Sequence, residues 1–201
     1  MRDIDVYFGL GSRYSYLAFT QLERIEREYD CRFSLYPISS VELFELLGQS
    51  PFNGPAPSRQ YESEYRRRDA EDWASYYGVP YVEPRSLPND HRLMAKACWA
   101  ADGQNRMREY CHGLFRAVFV DQQNVDPAHC VAIAARLGLN VEVFGHTMHG
   151  GAVDARVTAT AREAMARGAF GVPTFLLGDR LFWGNDRLAL LEHHLPRERR
   201  P

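Results

Sequence analysis

Ser12 is the side chain whose position most invites chemistry. It stands in the stretch YFGLGSRYSYLAF, residues 7 to 19, where a strand-like alternation through Ile4, Val6 and Phe8 breaks at Gly9 and Gly11 and a helical pattern begins. A hydroxyl at such a junction can cap the helix by accepting a first-turn N–H, which is the plain use of a serine there. It also keeps its own proton to donate. The second candidate is Val172-Pro173 in GVPTF, residues 171 to 175. An X-Pro bond turns cis for only about 0.5–1 kcal/mol, unlike other peptide bonds. A cis proline opening an inner strand leaves the N–H and C=O of the preceding residue free for a ligand backbone. A proline that simply opens a strand is the alternative.

Other reactive types have plainer readings. Cys31, Cys98, Cys111 and Cys130 are far apart and form no CxxC, so they read as four reduced, mostly buried thiols. Gly9-x-Gly11 lacks the third glycine of a dinucleotide fingerprint, since Tyr14 stands there. His146 and His149 lie one helical turn apart without a carboxylate or cysteine at ligand spacing, which argues against a metal. RRRD, residues 66 to 69, sits among Glu62, Glu64, Glu71 and Asp72 and reads as a solvated helix face. Tyr61, Tyr65, Trp73 and Tyr77 recur at helical spacing and read as core rather than as a substrate shelf.

These candidates need a scaffold to bring them together. The 201 residues are 45% apolar and 25% charged, which suits a globular protein with a real core. A net charge of −2 gives no basic field for nucleic acid, and no apolar run reaches membrane-spanning length. The start, MRDIDVYF, has no signal-peptide core, so a cytoplasmic protein is expected.

By pattern the chain opens β-α-β: a strand over 4–8, a helix over 13–29 with Ala18, Leu22, Ile25 and Tyr29 on one face, and a strand over 33–38. The two strands should be parallel with a right-handed crossover. Residues 41–150 read as a helical insertion. Asn89 is the expected cap of a helix through Leu93, Met94, Ala97 and Ala101, and Asp126-Pro127 starts another that Gly138 stops. A further helix is expected over 154–167. Gly178-Asp179 then joins strands 174–177 and 180–183 as a hairpin, and Asn185 or Asp186 caps the last helix. The expected fold is therefore α/β: a discontinuous thioredoxin-like domain, residues 1–40 and 151–201, built as βαβ and ββα around a cis-proline, with an all-helical insertion at 41–150.

Taken together, the strand followed by S-x-Y-S-Y-L, then WASYYGVPY, LPNDHRLMAKA, GVPTF and LFWGNDRL, resemble the 2-hydroxychromene-2-carboxylate isomerases. These are relatives of kappa-class glutathione transferases and DsbA-type oxidoreductases. The resemblance implies a glutathione-dependent isomerase of aromatic catabolism, such as naphthalene degradation, usually a homodimer. Its partners would be a small aromatic substrate, with no nucleic acid and no membrane. In dithiol oxidoreductases of this fold a cysteine occupies the strand–helix junction, and the resemblance places Ser12 there as the catalytic donor to glutathione's thiolate. A serine forms no disulfide, so redox chemistry is not expected at that position. Val172, before Pro173, would pair its backbone with the cysteinyl residue. Asn185 and Asp186 match the G-x-D-R segment that holds the γ-glutamyl end, and Asn53 matches the G-N-x-P-P loop.

The chain departs from that pattern in three places. Ser12-Arg13 replaces Ser-Pro, Gly48-Gln49 stands where a lysine is usual, and Gly9-Leu10-Gly11 lacks the usual acidic residue. Arg59 is a possible substitute for the lysine charge. Arg13 and Arg85 are candidates to hold the substrate carboxylate. The implied chemistry is thiolate addition to a conjugated carbon, ring opening, rotation and elimination to the trans product. The alternatives are a kappa-like transferase or lyase on another electrophile, and a non-catalytic thioredoxin-like binding module.

Overall fold

A computed structural model describes residues 1–50, 58–84 and 90–196. Strand β1 (Arg2–Phe8) leads through α1 (Arg13–Phe19) and α2 (Leu22–Glu28) to β2 (Cys31–Pro37). The helices α3 (Ser40–Leu46), α4 (Ser63–Tyr77), α5 (His91–Asp102), α6 (Met107–Phe119), α7 (Pro127–Arg136) and α8 (Val141–His149) follow. A long α9 (Gly151–Ala166) returns the chain to the hairpin β3 (Thr174–Leu177) and β4 (Arg180–Trp183), then to α10 (Leu188–His193).

The four strands form one mixed sheet in the order β2-β1-β3-β4. β1 runs parallel to β2, from Arg2↔Cys31 to Phe8↔Pro37, and antiparallel to β3 through Val6↔Phe175. Gly178, at φ +59°, makes the hairpin turn that its sequence predicts. Central β1 is covered on both faces, so its alternation fades at its end and Val6, Tyr7 and Phe8 are all buried. One face packs Ile4, Val6 and Phe8 under α1, α5 and α6. The other packs Tyr7 and Leu176 with Leu43 of α3, Ala164 of α9, and Ile38 and Ala169 just outside those helices. Each large apolar side chain buried this way contributes roughly 1.5–3 kcal/mol.

Two expectations need correction. The predicted helix over 13–29 is two helices, α1 and α2. Its predicted apolar residues Ala18, Leu22, Ile25 and Tyr29 are nevertheless all buried. The break falls where the Thr20 hydroxyl donates to the Leu17 carbonyl at 2.6 Å and Gln21 N–H bonds Ala18, a three-residue closure competing with the α ladder. The cap of α5 is Asp90 rather than Asn89, because Asp90 Oδ1 accepts from both Arg92 N and Leu93 N. Asn89 itself lies outside the described residues. No helix among them is long and apolar enough to cross a membrane.

Candidate active site

The site starts at the carboxyl end of β1. A tight turn, closed by Ser12 N–H to the Gly9 carbonyl at 3.0 Å, redirects the chain into α1. Ser12 is its N-cap: Oγ accepts from Ser15 N at 3.2 Å. Ser15 Oγ in turn accepts the Gly9 N–H at 3.3 Å, which ties both ends of the turn together. The capping role read from the sequence is therefore real. The Ser12 hydroxyl has a second partner: it donates to the Val172 carbonyl at 3.5 Å. That separation is the outer limit of a hydrogen bond, so the donor is easily re-aimed.

The Val172-Pro173 bond is cis, as the sequence suggests. The β3 ladder with β1 begins only at Thr174, which leaves Val172 outside it and across from Ser12. The Pro173 carbonyl accepts from Gly184 N at 3.0 Å and so anchors the turn that follows β4. Residues 185–187 of that turn form a single 3-10 turn packed on α1. The N-cap of α10 is Arg187, with no side-chain capping bond, which corrects the expectation that Asn185 or Asp186 caps the last helix. Asn185 is 3% exposed, and its Nδ2 has no hydrogen-bond partner among the described residues. Its backbone carbonyl accepts from the Tyr77 hydroxyl at 3.1 Å. Asp186 is solvent-accessible beside it, 3.5 Å from Arg187 Nη1.

Arg13 points into the helical insertion. Its Nη2 lies 2.7 Å from Glu83 Oε1, and its side chain is only 16% exposed. The other terminal nitrogen, Nη1, is buried without a partner among the described residues. Tyr81 donates to the second Glu83 oxygen. Burial, and then the bond to Glu83, push the Tyr81 phenol well above its ordinary range. Burial and Asp69 do the same to Tyr14. Arg66 lies 5.8 Å from the Tyr14 ring centre, and burial lowers its guanidinium, so it is not part of the solvated face expected for RRRD. Arg67 and Arg68 do belong to that face, paired with Glu64 and Glu71. Trp73 and Tyr77 pack on the core, but Tyr65 is exposed. Arg59, the possible lysine substitute, is exposed in the short turn before α4.

The structure thus gathers Ser12, Arg13, Val172, Pro173, Asn185 and Asp186 around one end of the sheet. Asn53 and Arg85 lie outside the described residues. Sequence reasoning missed Glu83, Tyr81, Arg66 and His91. The first three are reached only through Arg13 and Tyr14, and no spacing rule links residue 13 to residue 83. His91 carried a weak signal, a polar ring in the first turn of a helix. The four cysteines are free and buried, and no group of His, Cys, Asp or Glu suited to a metal occurs among the described residues.

Comparisons with known proteins bear on the fold and family. A 2-hydroxychromene-2-carboxylate isomerase of Pseudomonas putida is 29% identical over 196 residues, covering 96% of this chain and 94% of that protein. A solved 2-hydroxychromene-2-carboxylate isomerase superposes with a TM-score of 0.82 at 28% identity, covering 95% of this chain and 93% of its own. A probable DsbA oxidoreductase from Streptomyces coelicolor shares the fold, with a TM-score of 0.70 at 18% identity over 100% of this chain and 92% of that one. The model of the DSBA-like thioredoxin domain matches residues 3–196. With its mixed sheet, its cis-proline opposite the first strand–helix junction and this match over nearly its whole length, the chain belongs to the DSBA-like thioredoxin domain family.

Proposed function

We propose that the protein is a 2-hydroxychromene-2-carboxylate isomerase of aromatic catabolism with glutathione as its cofactor. The observation that carries this reading is a pair of buried donors without acceptors, Arg13 Nη1 and Asn185 Nδ2, beside the Ser12 turn. A buried donor left unsatisfied costs about 1–3 kcal/mol, more when it is charged. Both would be relieved by carboxylate oxygens, and the proposed substrate and cofactor each bring carboxylates.

The residues present fit glutathione. Val172 has its backbone outside the β ladder, where it can pair with the cysteinyl residue of a tripeptide. Asn185 Nδ2 can donate to the γ-glutamyl carboxylate, and Asp186 can accept from its ammonium. When bound, glutathione supplies a thiolate that adds to and leaves a conjugated carbon, allowing rotation about the bond between. The Ser12 hydroxyl would donate a hydrogen bond to the sulfur in place of its long contact with the Val172 carbonyl, and so favour the ionised thiol. Arg13 receives the substrate carboxylate at Nη1, while Glu83 holds the rest of the guanidinium in place through Nη2. Its two nitrogens therefore have separate tasks, and a lysine would serve only one of them.

The test is calorimetry with glutathione, followed by the absorbance of 2-hydroxychromene-2-carboxylate with and without it. Saturable binding and glutathione-dependent conversion to the trans product are expected. Binding without conversion would move the protein to a transferase of another electrophile. Absence of binding would leave a thioredoxin-like module.

A further inference from the structure

We propose that His91 is a positioning residue for Ser12, acting through the glycine that precedes it. The proposal rests on the functional reading above for what Ser12 does, and on separate observations for how it is held. Gly9 and Gly11 match no cofactor fingerprint, and neither has a positive φ. Backbone freedom therefore does not explain them, and space does. A Cβ added at Gly11 would lie 2.5 Å from His91 Cε1 and 2.7 Å from Nε2, a distance that real Cβ atoms do not tolerate. A Cβ at Gly9 would lie 3.3 Å from Val172 Cγ2 and 3.5 Å from Ser40 Oγ.

Ser40 and His91 are themselves joined, Oγ to Nδ1 at 3.0 Å. Each glycine of the turn is thus packed by one member of a hydrogen-bonded pair. The pair is anchored from below. Ser40 opens α3, His91 opens α5, and the adjacent Arg92 binds Glu42 of α3 and Asp154 of α9, the latter at 2.9 Å. Burial lowers the imidazole, so the ring stays neutral at neutral pH in this crowded contact. The imidazole fills the place of a side chain at position 11, and its wall fixes the backbone from which the Ser12 hydroxyl projects. The insertion helices in this way set the geometry of a turn that belongs to the thioredoxin part of the chain.

The experiment is a bump-and-hole cycle: Gly11→Ala, His91→Ala, and both together. Gly11→Ala alone should lower kcat by about a hundredfold, the effect of misplacing a reacting group by roughly 1 Å, while glutathione affinity changes little. The double variant should regain most of that loss, because the added methyl now has a hole to enter. The melting temperature and the Ser12 amide resonance, both read without ligand, should show the same rescue. Rescue of melting without rescue of kcat would make His91 mere packing and overturn the proposal. Additive losses in all three readouts would overturn it as well. If wild-type protein binds no glutathione, the functional reading falls, and the Ser12 amide resonance alone still decides the positioning claim.

Discussion

Two regions of this molecule could hold reactive sulfur, and they are built in opposite ways. In the insertion, Cys98 of α5 and Cys111 of α6 face each other with their sulfurs 3.3 Å apart, and Cys130 of α7 is buried nearby. Burial pushes Cys98 well above the ordinary thiol range and Cys130 up to about 11. At the Ser12 turn, by contrast, the start of α1 meets the Val172 backbone outside the β ladder, yet the chain places no thiol there. A thiol's chemistry is set by whether its surroundings favour the anion. Burial keeps the Cys31, Cys98 and Cys130 thiols protonated, and under the proposed function the position that suits a thiolate is left to a ligand.

The sharpest way to break that contrast is to move a thiol. Ser12→Cys should create a cysteine that iodoacetamide alkylates at neutral pH at least about a hundredfold faster than any native cysteine in the folded protein, with a thiolate absorbance at the ultraviolet edge. Equal labelling of the introduced thiol and a native one, followed by mass spectrometry, would erase the distinction between the regions. Next in size, Ser12→Ala should leave glutathione affinity nearly intact and raise the pH at which the bound thiol ionises. Loss of one hydrogen bond to a charged sulfur, about 1.5–3 kcal/mol, corresponds to roughly ten- to over a hundredfold in thiolate stability. If Ser12 were only a cap, the variant would instead lose up to about 2 kcal/mol of folding stability with an unchanged thiol titration.

On the other side of the comparison, replacing Cys31, Cys98, Cys111 and Cys130 by serine should cost about 1–3 kcal/mol at each dry site and leave turnover per folded molecule unchanged. A drop in kcat from any single replacement, with binding intact, would bring that cysteine into the reaction.

The smallest expected effect is the response to pH. His91 beside the turn, and His112 on α6, are both lowered by burial. The unfolded chain therefore takes up protons near the ordinary histidine value of about 6.5, while the folded chain resists. Stability from this source is complete above that pH and falls as the pH drops below it. The buried thiols shift the other way: Cys31 is also pushed up to about 11. Cys31, Cys98 and Cys130 stay protonated in the fold, and their unfolded thiols ionise from about pH 8.5 upward, so the fold weakens on the alkaline side. Melting curves from pH 5 to 10 should show both flanks, and His91→Gln should flatten only the acid one.

Much of the scaffold was legible from local pattern. Alternation marked the strands, Gly178 marked the hairpin and Pro127 marked a helix start, whereas the reading of Ser12 and GVPTF as a thioredoxin-like site without redox chemistry came from the family resemblance. The local marks depend on residues within a few positions of one another, and backbone sterics or hydrogen bonds express them directly. The break between α1 and α2 was less visible, because a threonine bonding back three residues looks like any helical threonine.

Local sequence was enough for the strands, most of the helices, the hairpin turn and the proline that opens β3. Packing alone decided that Arg13 meets Glu83, that Asn185 is buried with an open donor, and that the ring of His91 occupies the space beside Gly11. Those meetings join residues far apart along the chain, and they exist only because the insertion helices pack against the end of the sheet. Short-range spacing carries no information about them, since it is the shared core beneath that fixes which side chains arrive together.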